Sequence, residues 1–429
     1  MTAAYGMIAR SWPGLGAPPE ALPYEIASST RAFRKLTMAL FDKVRNFDAA
    51  KRAQAAGLYP YFVPSQAVGD TEVVVDGESK VMIGSNNYLG LTHHPKVIEA
   101  AEKALRKYGS GCTGSRYLNG TLDLHERLEE KLAVFLKTEA ALVFSTGFQT
   151  NLGAISALAD SGVVVFIDQL CHASIVDGCR LSQGRTVMFQ HNDAADLERS
   201  IESVGAANAL VIVDGVYSME GDIADMPALL DLAERYGCGL MVDDAHATGV
   251  LGAHGRGTAE HFGVEERVDL VMGTFSKSFA SIGGFVAGDE AVVHYIKHHA
   301  RSLIFSASAP PAAIAAVLAS LEVIQEEPER REHLWRITAR MKSELQGLGF
   351  DTGNSRTPVI PIIIGEVMPA LSFWRQLFDA GVITNVAISP AVPAGRELLR
   401  TSYVATHTDA QLDFVLEKIE TVGRKLGVI

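Results

Sequence analysis

Apolar and polar positions alternate along this chain in two rhythms. Between residues 25 and 56, Phe33, Leu36, Leu40, Phe41, Val44 and Phe47 recur every three or four positions, with Arg31, Arg34, Lys35, Lys43 and Arg45 between them. That spacing predicts an amphipathic helix whose apolar face docks on a partner surface or rests on lipid. Leu58-Tyr-Pro-Tyr-Phe62 ends it. Thr71–Val75 and Lys80–Ile83, parted by Asp76-Gly77, then predict a hairpin. Farther on, apolar runs of strand length stand at Ala140–Phe144, Val163–Ile167, Thr186–Phe189, Ala209–Val213, Gly239–Val242 and Asp269–Gly273. Helical patterns at Pro95–Tyr108 and Leu122–Leu136 precede them, and others at Asp193–Val204 and Met226–Tyr236 separate them. Strands spaced by helices predict a mostly parallel sheet covered on both faces. Phe285–Gly288 follows the last run too closely for a crossover, so it is expected antiparallel.

Past Pro310-Pro311 the pattern changes. A long helical stretch, Ala312–Gln325 continuing from Glu329 to Gly347, leads to a strand at Val359–Ile364, a helix at Ala370–Ala380 and a strand near Leu398–Ser402. A last helix, Asp409–Leu426, starts behind Thr408 as its N-cap. The expected organisation is an N-terminal segment and helix over 1–72, a large α/β domain over 73–305 and a smaller α+β domain over 306–429. Residues 1–23, rich in Gly, Pro and Ala, read as a flexible lead.

Composition narrows the function classes. The 38 Lys and Arg residues face 50 Asp and Glu, a net charge of −12, which disfavours a broad nucleic-acid grip. Four scattered cysteines with no CxxC pair give neither a disulfide framework nor a structural zinc site, and no metal is expected. No apolar run approaches the length of a membrane span, and residues 1–16 lack a basic start followed by an apolar block. A cytoplasmic enzyme is expected.

Ligands of open α/β sheets bind beyond the carboxyl ends of the strands, so the residues after each run carry the chemistry. These are Ser145-Thr-Gly-Phe-Gln-Thr-Asn151, Asp168 with His172-Ala-Ser174, Asp214-Gly-Val-Tyr-Ser218, Asp243-Asp-Ala-His246 and Thr274-Phe-Ser-Lys-Ser278. Lys277 is either a solvated lysine in a Ser-rich turn or an amine whose lowered pKa suits a Schiff base to an aldehyde cofactor. Asp243 is either a helix cap or the partner of a protonated pyridine nitrogen, as in pyridoxal phosphate. His246 then reaches the ring oxygen. His172 is a capping histidine or a ring stacked on the cofactor. Thr274, Ser276 and the amides near Ser145–Phe148 suit a phosphate. The loop Gly109-Ser-Gly-Cys-Thr-Gly114 follows a helix and lacks the lysine of a nucleotide P-loop, so close backbone packing near a subunit contact is expected instead.

Ser85-Asn-Asn-Tyr-Leu-Gly90, the run from Gly109 to Thr121, His172-Ala-Ser-Ile175, Asp243-x-x-His246, Gly273-Thr-Phe-Ser-Lys-Ser278 and Gly283-Gly284 together resemble the α-oxoamine synthases. These are fold-type I pyridoxal-phosphate enzymes, and the resemblance runs from about Gly57 onward. Ser115–Thr121, Asp214–Asp222 and Ile304–Ser308 most resemble the bacterial serine palmitoyltransferases among them. The resemblance implies pyridoxal 5'-phosphate as cofactor and a homodimer with a composite site. It makes Lys277, His172 and Asp243 catalytic. Gly147, Phe148, His246, Thr274, Ser276 and Ser306 join them around the cofactor, Ser306 from the second subunit, while Asn87 and Arg400 bind substrate. The implied reaction condenses an amino acid, L-serine first, with a long-chain acyl thioester on CoA or a carrier protein. Other members of the family and a non-catalytic partner subunit are the alternatives. The chain departs from some relatives at Ile388, where they carry arginine twelve positions before the clamp, and residues 1–50 lie outside the resemblance. A peripheral membrane contact is a further expectation, and Lys297-His-His-Ala-Arg301 is either a solvated cluster or a contact for the thioester's carrier.

Overall fold

The computed structural model describes residues 41–205 and 207–429. The flexible lead over 1–23 and the first part of the helix expected over 25–56 lie outside the described residues. The chain forms two compact units, one ending at Tyr59 and one running from Pro60 to Ile429. In the first, the expected helix is not continuous: a turn at residues 46–48 precedes the helix Ala49–Ala55. Asn46 and Asp48 stand at the break, residue types that favour turns and helix starts over helix interiors, and Asp48 is the N-cap of that helix.

The second unit begins with β1 (Gln66–Ala67) and the hairpin β2 (Glu72–Val75) and β3 (Glu78–Met82). Asp76 and Gly77 both take positive φ, 52° and 83°, the turn that matches the twist of a two-residue hairpin. The main sheet contains β4 (Ala140–Phe144), β5 (Val164–Asp168), β6 (Arg185–Phe189), β7 (Ala209–Asp214), β8 (Gly239–Asp243), β9 (Leu270–Thr274) and β10 (Gly284–Gly288). Its order is β4-β10-β9-β8-β7-β5-β6. The strands from β9 to β6 pair in parallel, and β10 runs antiparallel to both β9 and β4, as its short connection requires.

Strand alternation builds two cores. Val165, Ile167, Ile212 and Met241 face one way, onto Ile155, Ile175 and Ile296 of the covering helices. Phe166, Val211, Val213, Leu240 and Val242 face the other way, onto Leu197, Ile201, Leu229 and Leu230. Each such fully buried side chain stabilises the fold by roughly 1.5–3 kcal/mol relative to exposure. Register does the rest: Asp214 lies opposite Asp243, and Gly284 opposite Thr274, so the polar strand ends share one edge.

The remaining strands are β11 (Val359–Ile363), β12 (Val382–Ile383), β13 (Asn385–Ala387) and β14 (Leu398–Ser402). The sheet β11-β14-β13 is antiparallel and carries Arg400. β12 pairs with β3, so the early hairpin joins a segment about three hundred residues later rather than the main sheet. The long helical stretch is two helices, Pro311–Glu326 and Pro328–Gly347, because Pro328 restricts Glu327 to non-helical backbone. Thr408 caps the last helix, its hydroxyl accepting from Gln411 N at 3.2 Å.

Candidate active site

The strand ends enclose a cavity of about 330 Å3. Gly147, Phe148, His172, Asp243, His246, Thr274, Ser276 and Lys277 line it together. At one end, β4 runs into the helix Gly147–Leu158, whose N-cap Thr146 accepts from Gln149 N at 3.1 Å. The free amides of that first turn attract an anion. Gly147 lies so close to Thr274 that a Cβ on it would stand 2.7 Å from Oγ1. Thr274 Oγ1 lies 3.0 Å from Ser276 Oγ. Amides and two hydroxyls thus converge on one spot.

At the other end, Asp243 is buried at the tip of β8. Its Oδ2 accepts from Asn151 Nδ2 at 2.7 Å and its Oδ1 from Ala245 N at 2.9 Å. Asn151 Nδ2 also donates to Ser174 Oγ at 2.8 Å. Beside them Asp214 accepts from His172 N at 3.1 Å, and burial together with the Asp243 charge pushes its carboxyl well up. Asn151 Oδ1 and Asp214 Oδ1 are buried without a hydrogen-bond partner among the described residues.

His172 caps the helix Ala173–Leu181 and also lines the cavity, so the two readings of it coexist. Ser174 N donates to its Nδ1 at 3.3 Å, which leaves the ring proton on Nε2. Burial lowers its pKa, and the Lys277 ammonium adds to this against the pull of Asp243. His246 shares a 2.7 Å hydrogen bond between Nδ1 and Tyr88 Oη. Burial and the nearby cations of Lys277 and Arg400 drive its pKa well down, keeping it neutral. Lys277 sits in the turn between β9 and β10; its carbonyl accepts from Ala280 N at 3.0 Å, while its Nζ has no hydrogen-bond or ion-pair partner among the described residues. Burial pushes its pKa down to about 8, with Arg400 adding to the effect and Asp243 opposing it. An amine so placed is a nucleophile near neutral pH.

The other expected residues stand outside this lining. Arg400 is buried next to it, donating from Nε to Ser218 O at 2.5 Å and from Nη2 to Asn86 Oδ1 at 3.0 Å. Its Nη1 has no partner among the described residues. Asn87 is engaged elsewhere: its Nδ2 donates to Asp70 Oδ1 at 3.0 Å and Thr92 Oγ1 at 2.9 Å. Ser306 Oγ accepts from Gln149 Nε2 at 2.8 Å and does not line the cavity of its own chain. The sequence reading gave no role to Asn151, Asn86 or Tyr88. Asn151 was open to discovery, as a polar residue one turn after Gly147 on the same helix. The other two stand in the Ser85–Gly90 motif that carries the resemblance, but no spacing there points to their contacts with Arg400 and His246.

The donor set fits pyridoxal 5'-phosphate: an unpartnered amine for the aldehyde, a buried carboxylate for the ring nitrogen, and an amide-and-hydroxyl cradle for the phosphate that a Cβ at Gly147 would fill. The family profile for class I and II aminotransferases matches residues 78–419. A serine palmitoyltransferase of Sphingobacterium spiritivorum is 48% identical over 390 residues, covering 91% of this chain and 98% of that protein. An 8-amino-7-oxononanoate synthase of Thermoanaerobacter pseudethanolicus is 42% identical, covering 87% of this chain and 95% of that protein. A solved serine palmitoyltransferase carrying the coenzyme as an internal aldimine superposes with a TM-score of 0.88 at 37% identity, over 91% of this chain and 99% of that one. With agreement of that extent in sequence and in fold, the chain belongs to the class I and II aminotransferase family, among its pyridoxal-phosphate-dependent α-oxoamine synthases.

Proposed function

We propose that this enzyme joins L-serine to a long-chain acyl thioester, releasing CO2 and the free thiol and yielding a 3-ketosphinganine. The observation that carries the reading is Lys277, an amine held without a partner in a cavity that also presents Asp243 and His172. The relatives favour serine: those named serine palmitoyltransferase reach 48% identity, against 42% for those named 8-amino-7-oxononanoate synthase.

Bound pyridoxal phosphate supplies an aldehyde for the amino group and a ring that accepts the electron pair left at Cα. The chain supplies the rest. Asp243, steadied by Asn151 and Ala245 N, holds a proton on the ring nitrogen. Gly147, Phe148, Thr274 and Ser276 hold the phosphate, and His246 holds the ring oxygen. Lys277 Nζ takes the Cα proton, a role its depressed pKa suits. His172 Nε2–H and the free Nη1 of Arg400 would take the serine carboxylate and so fix how the substrate is oriented before Lys277 Nζ. The Cα–acyl bond forms as the C–S bond of the thioester breaks and the thiol leaves; the carboxylate then departs as CO2, and the electron pair it leaves at Cα takes up a proton, which Lys277 Nζ is placed to return.

A second cavity of about 580 Å3, lined by Met219, Glu220 and Ser389–Pro393, shares His172 and Ser218 with the first and gives the thioester room to approach. In this reading a large coenzyme domain spans 73–305, and a small domain over 306–429 brings the clamp. A second copy of the chain completes the site in this reading and contributes its Ser306. Phe148 and Ile282, on the cavity rim, are 43% and 47% exposed and Phe305 is 75% exposed, apolar area that a homodimer would cover. No described helix is long and apolar enough to cross a membrane. A peripheral contact, if made, falls to the apolar and basic pattern of Phe41, Lys43, Val44, Arg45 and Phe47. Mass spectrometry of products from serine with a panel of acyl thioesters tests the proposal. A 3-ketosphinganine-type product supports it; turnover with alanine or glycine and none with serine contradicts it.

A further inference from the structure

Outside the cavity, the turn after β6 presents His191 between two acids. Its Nδ1 lies 3.1 Å from both oxygens of Asp168, and its Nε2 lies 2.9 Å from Asp222 Oδ2. Its ring meets Tyr217 edge-on, centroids 4.4 Å apart, and Tyr217 Oη donates to Asp168 Oδ2 at 2.8 Å. Two carboxylates on opposite ring nitrogens require both nitrogens to donate, so the group is an imidazolium. Burial opposes that charge, but the hydrogen bonds and charges of Asp168 and Asp222 outweigh it and raise the pKa to about 10.

The bridge joins two segments that carry site residues. Asp168 ends β5; its carbonyl accepts from Cys171 N at 3.1 Å and its Oδ1 from Leu170 N at 2.8 Å, which shapes the turn leading to His172. Asp222 closes the loop after β7, where its carbonyl accepts from Tyr217 N at 3.1 Å. That loop contains Ser218, whose carbonyl holds Arg400 Nε. Asn192, next to His191, ties the same loop again through Nδ2 to Ile223 O at 3.0 Å. His172 and Arg400 therefore lie at the two ends of a frame bridged by one charged ring.

We infer that His191 is a positioning residue for the substrate carboxylate: its bridge from Asp168 to Asp222 sets the spacing between His172 and the Ser218 carbonyl that orients Arg400. The inference rests on the carboxylate roles proposed above for His172 and Arg400. It touches neither substrate nor coenzyme, so its loss shifts one binding step and spares the others.

The test is His191→Gln in the holoenzyme, reading the serine KM, the thioester KM and the visible coenzyme absorbance separately. We expect the serine KM to rise about ten- to hundredfold, the upper figure being what a 1 Å misplacement costs, with the thioester KM and the absorbance unchanged. A serine KM unchanged, or the two KM values rising together, overturns the inference. Should His191→Gln not fold, Asp222→Asn, which keeps the shape and drops one charge of the bridge, is read in the same way: a selective rise in serine KM supports the bridge, and no rise overturns it. Failure of the underlying reading is distinct, because it would show in the unaltered enzyme as no coenzyme absorbance or no turnover of serine.

Discussion

Asn151 and Asp243 lie on different elements, a helix and a strand, and meet through a 2.7 Å hydrogen bond from carboxamide to carboxylate. The bond fixes the rotamer of the acid assigned to the coenzyme's ring nitrogen. It also spends one of the two Nδ2 protons on Asp243 and the other on Ser174, so the side chain is held from both sides. Replacing Asn151 by Leu keeps the volume and removes both donors. Loss of a hydrogen bond to a charged group costs about 1.5–3 kcal/mol. The coenzyme dissociation constant should therefore rise roughly ten- to hundredfold in equilibrium dialysis, while secondary structure by circular dichroism stays intact.

The phosphate cradle makes a second prediction. Gly147 has no room for a side chain, since a Cβ would press on Thr274 Oγ1 at 2.7 Å. Gly147→Ala should overpack the cradle by about 1–3 kcal/mol, weakening coenzyme affinity in titrations more than it lowers the melting temperature of the coenzyme-free protein.

Arg400→Lys keeps the charge and loses the planar fork, whose Nε and Nη2 are already committed to Ser218 and Asn86. A lysine ammonium cannot hold those partners and the substrate together. Steady-state kinetics should show the serine KM raised roughly tenfold or more, a loss of at least one charge-assisted hydrogen bond, with the thioester KM little changed.

Lys277 titrates lower than an ordinary lysine because burial disfavours its ammonium, bringing the pKa to about 8. In the coenzyme-free protein the amine is protonated and unreactive below that value and neutral above it. The rate of capture of added pyridoxal phosphate should rise with pH through a midpoint near 8 and then level off, as followed by stopped-flow absorbance. An undisturbed lysine would give a midpoint near about 10.4 instead.

Much of the site was legible because its residues follow apolar runs. Asp243 and Thr274 end β8 and β9, and Lys277 comes three positions later, so strand register alone brings them to one edge. The hairpin turn at Asp76-Gly77 and the cap at Thr408 were equally local signals. Contacts between distant segments were not legible. The bond between Tyr88 and His246 spans 158 residues, and the pairing of β12 with β3 spans about three hundred. Neither leaves a periodicity or a spacing to read. Arg400 came only through the family resemblance, because an arginine in an apolar strand does not announce its partners. The continuous helix expected through residues 46–48 gave way because apolar spacing persists across a turn that Asn46 and Asp48 favour.

The central claim is that the Lys277 amine is the covalent seat of the coenzyme. Borohydride reduction of the purified holoenzyme, followed by peptide mass mapping, tests it directly. A single pyridoxyl phosphate adduct on the peptide containing Thr274-Phe-Ser-Lys277 is the predicted result. An adduct on another lysine, or none in a protein that still condenses serine with the thioester, would contradict it.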